Sequence, residues 1–212
     1  MNDKALLAVS PISARMTNIT DLDQPASPNG KEVLVPATRA KWRTWLTRNA
    51  SRQDGLWVVY RKKSSSIEGP MYDDLVEEAL CFGWIDSQVR RVDDNRRIQW
   101  FSPRRKGSVW SPLNKRRIEQ LVSNGLMTEA GQRAIDLAIA DGSWSQTDDI
   151  DALEVPPDLE SAFVAAPEAR AAYESSPESA RKQYLWWIHN AKRAQTRSTR
   201  IRELIRMLSG GA

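Results

Sequence analysis

The sequence predicts an α+β protein: a small antiparallel sheet of three or more strands flanked by helices, with an all-helical C-terminal part. Three observations predict it. Short runs of aromatic and β-branched residues, 56–61, 84–92 and 96–102, are too short for helices and read as strands. Apolar side chains recur at helical spacing in the segments before and between them, and beyond Ser111 every periodic segment is helical. With 212 residues, 41% hydrophobic and 27% charged, the composition is that of a globular chain, which excludes collagen-like, disulfide-rich and wholly disordered classes.

The elements follow in order. Residues 1–35 carry Ser, Pro, Asn, Thr and Asp without a sustained period and are expected as a disordered N-terminal tail. An α+β domain is expected over 36–150 and a helical module over 151–212. From Thr38, a candidate cap, Trp42, Trp45 and Leu46 fall at i, i+3, i+4 and predict a helix that ends before Gly55. Strand 56–61 follows, then a Ser-Gly-Pro loop and a helix over 72–82 with Asp73 and Asp74 in its first turn, where the helix dipole favours acids. Gly83 closes that helix as a left-handed cap. The next two strands form a hairpin through Asp93-Asp94-Asn95. Centring the turn on Asp94 and Asn95 places Val89 opposite Trp100 and Asp86 opposite Pro103, with Ile85, Val89, Ile98 and Trp100 on one face. Ser111-Pro112 opens a helix that Asn124-Gly125 closes, and Thr128 begins another that ends at Gly142. Val155-Pro156-Pro157 punctuates the chain before helices over 159–165, 167–173, 177–192 and 196–208.

Charge and residue usage bound the chemistry. The single cysteine, Cys81, excludes an internal disulfide and suits a reducing compartment; with no export signal legible, a cytoplasmic location is expected. The one histidine, His189, leaves no triad and no multi-histidine metal site, so no metal, cofactor or catalytic motif is assigned. No apolar run approaches the roughly 20 residues of a membrane span, so no membrane insertion is expected. The net charge of +4 is unevenly spread: residues 88–117 carry +8 and residues 178–212 carry +6, leaving −10 for the rest. Such asymmetry marks a surface for anions.

Within the first basic segment, 102–114 leaves a strand and enters a helix, with Arg104, Arg105, Lys106 and Gly107 just ahead of the helix start. Cations beside unpaired helix N–H groups make a seat for phosphate or carboxylate, although the spacing is not that of a P-loop. The hairpin register makes Arg105 the diagonal neighbour of Asp86, a pair in which the carboxylate orients the guanidinium. In the second segment, Lys192, Arg193, Arg197, Arg200 and Arg206 follow Trp186 and Trp187, an interleaving that can clamp a single nucleic-acid strand.

The stretch 77–87 (EEALCFGWIDS), the later Phe101-Ser102-Pro103-Arg104-Arg105 with Ser108, Trp110, Ser111 and Asn114, and Ala191-Lys192-Arg193 with Thr196-Arg197 and Arg200-Ile201 resemble the bacterial YdeI/OmpD-associated family. The resemblance runs from about Trp42 to Leu208. It implies a role in bacteriocin protection or antimicrobial-peptide resistance and, through the family name alone, association with a porin; it carries no reaction or cofactor. Joined to the residue reading, the expectation is an anionic small molecule held in a basic, Trp-lined pocket. Its residues are Trp84, Asp86, Arg104, Arg105, Trp110 and Asn114, completed by Lys192, Arg197 and Arg200. The alternatives are a nucleic-acid binder using the basic surface, or an enzyme acting on a phosphorylated or carboxylated small molecule with Asp86 as acid/base.

Overall fold

A computed structural model describes residues 16–210. The chain divides into two compact units, one of residues through Arg105 together with Arg117–Asp136, the other of Lys106–Arg116 together with the residues from Leu137 onward.

The first unit is organised by a strand that needs cover on both faces. In β2 (Leu56–Arg61), Trp57 and Val59 point one way while Leu56, Val58 and Tyr60 point the other, and all five are buried. β2 lies inside a four-stranded sheet ordered β1-β2-β4-β3, with β1 at Val33–Leu34, β3 at Trp84–Arg91 and β4 at Arg96–Pro103. The β2–β4 and β3–β4 pairs are antiparallel as the sequence predicts; β1 runs parallel to β2, so the sheet is mixed.

One face is covered by α1 (Arg39–Arg48) and α2 (Tyr72–Cys81). Thr38 caps α1, its side chain accepting from Lys41 N at 3.2 Å. Trp42 stacks on Trp45 at 5.3 Å and meets Trp84 and Phe101 edgewise or tilted at 6.5 and 5.6 Å, while its indole N–H donates to Leu75 O at 3.0 Å. α1 and α2 are also joined by charge. Glu78, buried, accepts from Arg39 Nε and Arg43 Nη1, each at 2.6 Å, and Arg39 also reaches Glu77 at 2.7 Å.

The other face is covered by residues assigned above to the tail. Residues 1–15 lie outside the described residues, but the folded chain begins well before Pro36. A 3₁₀ turn over Ile19–Asp21 closes a capping box, with Asn18 N donating to Asp21 Oδ2 at 2.9 Å. Ile19 packs in a cluster with Trp57, Val59, Ile67 and Ile98, flanked by Leu22, Val33 and Val35. Polar contacts hold the segment down: Ile19 N to Glu68 O at 2.7 Å, Trp57 Nε1 to Asn29 Oδ1 at 2.9 Å, and Arg96 Nη1 to Asp23 O at 2.9 Å. The apolar residues of this segment are sparse and aperiodic because they cap a sheet face from a loop, so no helix or strand period reveals them.

The hairpin register also differs from expectation. Arg91 faces Arg97 and Val89 faces Gln99, whereas Asp86 faces Phe101 and Trp84 faces Pro103. Two residues of β3, Ser87 and Gln88, therefore oppose one of β4, a β-bulge that no constant-index rule accommodates. The pairing is already one residue off expectation at Arg91 and Arg97, on the turn side of the bulge, so Val89 falls on the face opposite Ile98 and Trp100, and it is exposed.

In the second unit, helices α5 (Asp148–Asp151), α6 (Pro157–Val164), α7 (Pro167–Ser175), α8 (Glu178–His189) and α9 (Ala194–Leu208) surround Leu159, Phe163, Tyr173, Leu185, Ile188, Ile201 and Leu204. Prolines 157 and 167 stand at the first positions of α6 and α7, where a missing N–H costs no helical bond. α8 stops at His189, and the cap of α9 is the backbone of Arg193 rather than Thr196. Helices α3 (Pro112–Ser123), whose start is capped by Ser111 Oγ accepting from Asn114 N at 3.3 Å, and α4 (Glu129–Ala140) each contribute residues to both units.

Candidate functional site

The first unit carries a groove of about 610 Å³ where β2, β4 and the start of α2 meet. Opposed residues of paired strands share a face, so Tyr60 and its partner Arg97 stand side by side and Gln99 lies one step along. Tyr72, the first residue of α2, comes down beside them with its ring 5.8 Å from that of Tyr60. Lys62 and Lys63, where the chain leaves β2, and Arg61 complete a lining in which four cations face one acid, Asp73. A volume of this size suits a drug-sized or metabolite-sized ligand, for which pockets run roughly 300–1,000 Å³.

Asp86 is tied to this groove from beneath. Tyr72 Oη donates to Asp86 Oδ2 at 2.9 Å and Gln99 Nε2 donates to the same oxygen at 2.8 Å. Gln99 Nε2 also lies 3.1 Å from Ser87 O, a carbonyl displaced by the bulge. The bulge thus lets one amide hold both the carboxylate and the irregular backbone. Burial and the Asp86 charge push the Tyr72 phenol up to about 12, and burial raises Tyr60 as well, with Arg97 opposing and Asp86 assisting. At neutral pH both phenols are therefore protonated, and the Tyr72 proton is committed to Asp86. The surrounding cations supply the charge that a carboxylate or phosphate needs.

The residues singled out in the sequence are distributed over the two units. Trp84 is buried in the aromatic cluster with Trp42 and Trp45, so it serves as core. Asp86 is half-buried and belongs to the groove's support. Arg104 feels its charge: burial lowers that guanidinium to about 10 while Asp86 pulls it back up; the expected diagonal pairing with Arg105 rested on Asp86 facing Pro103, whereas Asp86 faces Phe101. Arg104 is half-buried, with Nε and Nη2 shielded from solvent, and Arg105 is exposed.

In the second unit, Trp110 is buried with its ring 5.2 Å from Trp144, and Asn114 is buried. Arg197 forms a bidentate pair with Asp158, Nε–Oδ2 2.6 Å and Nη2–Oδ1 2.9 Å, which holds the Asp158 carboxyl below its ordinary range. Arg200 donates to Trp187 O and lies 5.5 Å from the Trp187 ring, and Lys192 is exposed. The groove residues Tyr60, Lys62, Tyr72, Arg97 and Gln99 were missed. The legible signal was the basic run Arg61-Lys62-Lys63 directly after an aromatic strand end; the pairing that brings Arg97 beside Tyr60 was not legible. Cys81 is buried, and burial pushes its thiol up against the opposing pull of Arg43, the surroundings of a structural cysteine.

Among the described residues, no group of three or more His, Cys, Asp or Glu side chains is placed to hold a metal ion, and no helix is long and apolar enough to cross a membrane. No curated protein and no solved structure matches the chain significantly. Two family models do match. Residues 34–134, which include the groove and the 77–87 stretch, match a domain of unknown function (DUF8412). Residues 152–211, which include α6–α9 and the Arg197–Asp158 pair, match the model described as "Bacteriocin-protection, YdeI or OmpD-Associated". The likeness to the bacteriocin-protection, YdeI or OmpD-associated family expected from the sequence is thus found in the C-terminal helices, residues 152–211.

Proposed function

We propose that this protein acts in bacteriocin or antimicrobial-peptide protection and does so by binding a small anionic ligand that carries a planar ring, in the groove of the first unit. The protective role rests on the family of residues 152–211. The ligand class rests on one observation: two protonated tyrosines, Tyr60 and Tyr72, and the cations Arg61, Lys62, Lys63 and Arg97 line a single cavity of about 610 Å³. The partly exposed Tyr72, backed by buried Tyr60, takes the ring, while Arg97 and Lys62 take the negative group. Asp86, engaged by Tyr72 and Gln99, sets the position of both donors rather than meeting the anion.

Phenyl phosphate is a suitable probe, with inorganic phosphate as the comparison. Calorimetric titration should show saturable binding of phenyl phosphate, tighter than that of phosphate alone, and Arg97→Ala should weaken it about tenfold or more, the loss of one charge-assisted contact. The same variant, expressed in a bacteriocin-sensitive host, should lose protection. Protection that survives in a variant no longer able to bind the probe would refute the link between ligand and role.

A further inference from the structure

The second unit carries a separate cluster of exposed aromatic and basic side chains. Trp186 and Trp187, near the end of α8, are 39% and 37% exposed, unusual for the largest apolar side chain on a packed helix. Each is already paired with a ring or a cation. Trp186 stacks parallel to His189, 5.8 Å between centroids at 11°, and Arg200 lies over Trp187 at 5.5 Å while donating to its carbonyl. Lys192 and Arg193 follow in the exposed turn into α9, and Arg202 is exposed further along. No acidic residue occurs in sequence between Glu178 and Glu203; in space, Asp151 lies beside Trp186 and Lys182, and Asp149 and Glu154 lie beside His189, so the cations at the turn into α9 carry the positive charge of this surface. Arg197, matched by Asp158, is not available for this surface.

We infer that the end of α8 and the turn into α9 form a binding platform for single-stranded nucleic acid. Exposed indole faces stack on unpaired bases without regard to sequence, and Lys192, Arg193 and Arg200 follow the phosphates. A purely apolar partner would leave this row of cations desolvated without counter-charge, and a cationic peptide would be repelled by it. The charge and the partly exposed indoles together select an anionic polymer that carries rings.

The test is fluorescence anisotropy of a labelled oligo-dT of about 15 nucleotides titrated with the full chain. Saturable binding is expected, with log affinity falling against log salt at a slope of about −2, roughly −0.7 for each of three phosphates neutralised. Trp187→Ala should weaken binding by about 5- to 150-fold, the loss of one stacked base. Because that side chain also contacts Arg200, a second variant carries the point: Lys192→Glu with Arg193→Glu changes only exposed side chains and should abolish binding. Arg97→Ala should leave it unchanged, which separates this surface from the groove. The inference fails if oligo-dT does not bind at low salt, or binds with a flat salt response. It also fails if the double charge reversal binds like the parent, or if the chain binds phosphatidylglycerol vesicles but not the oligonucleotide.

Discussion

Replacing Ile19 by Ala tests whether the N-terminal segment is structural. The side chain is fully buried between the sheet face formed by Trp57, Val59 and Ile98 and the backbone of Gly69. A Cβ placed on Gly69 would come within 2.8 Å of Ile19 Cγ2, so the site is closed from that side too. Large-to-small core changes of this kind cost about 2–5 kcal/mol, the higher values where the surroundings cannot collapse. The sheet is fixed by its ladder, but the capping loop can settle inward, which places the expected loss near the middle, about 3 kcal/mol. At about 2–4 °C per kcal/mol for a chain of this size, the melting temperature should fall by about 6–12 °C. Urea unfolding followed by tryptophan fluorescence reads the change, because Trp57 borders the cavity. Met16→Ala, at a side chain 56% exposed, is the control and should stay within about 0.5 kcal/mol. An Ile19→Ala variant as stable as that control would mean that the segment does not cover the sheet, and the account of β2 as a doubly buried strand would fall with it.

Other outcomes follow from the charges. Glu78→Gln leaves Arg39 and Arg43 facing a neutral amide at a buried position and should cost about 2–4 kcal/mol, whereas Glu77→Gln, at a more open site, should cost under about 1 kcal/mol in the same denaturation assay. Tyr72, raised to about 12, contributes stability that is complete below its ordinary value near 10 and lost as pH rises through its folded value. Ultraviolet titration of the phenols should show this late ionisation, and Asp86→Asn should move it earlier; an unchanged profile would remove Asp86 as a cause. Asp158, lowered by Arg197, contributes above the ordinary carboxylate range and loses that contribution as pH falls through its depressed value. Asp158→Asn should therefore lower stability by about 1 kcal/mol or less near pH 7 and make almost no difference near pH 2, checked by thermal melts at both.

Much of the local architecture was legible because it depends on neighbours in sequence. Thr38 and Ser111 accept helix N–H groups within three residues, and prolines 157 and 167 punctuate helices by their own geometry. Gly83, at φ +74°, ends α2 as its residue type suggests. The hairpin existed where Asp93-Asp94-Asn95 placed it, but its register did not follow. The strands already pair one residue off at Arg91 and Arg97, a bulge at Ser87 and Gln88 adds a second offset on one strand only, and the hydrophobic pattern on an exposed strand end is too sparse to reveal either.

By itself the sequence determined the fold class, the order of the elements from α1 onward apart from short α5, and the uneven distribution of charge, since each depends on residue type and short-range spacing. Only the tertiary structure decided which groups work together. The groove joins Tyr60, Tyr72 and Arg97 from two strands and a helix, and its support comes from a bulged carbonyl and a shared carboxylate oxygen. It also decided which cations remain available, because the match of Arg197 to Asp158 spans 39 positions of sequence. Charge counts are local sums, whereas pairing is a matter of distance in space, and that distance is set by how the strands register and the helices pack.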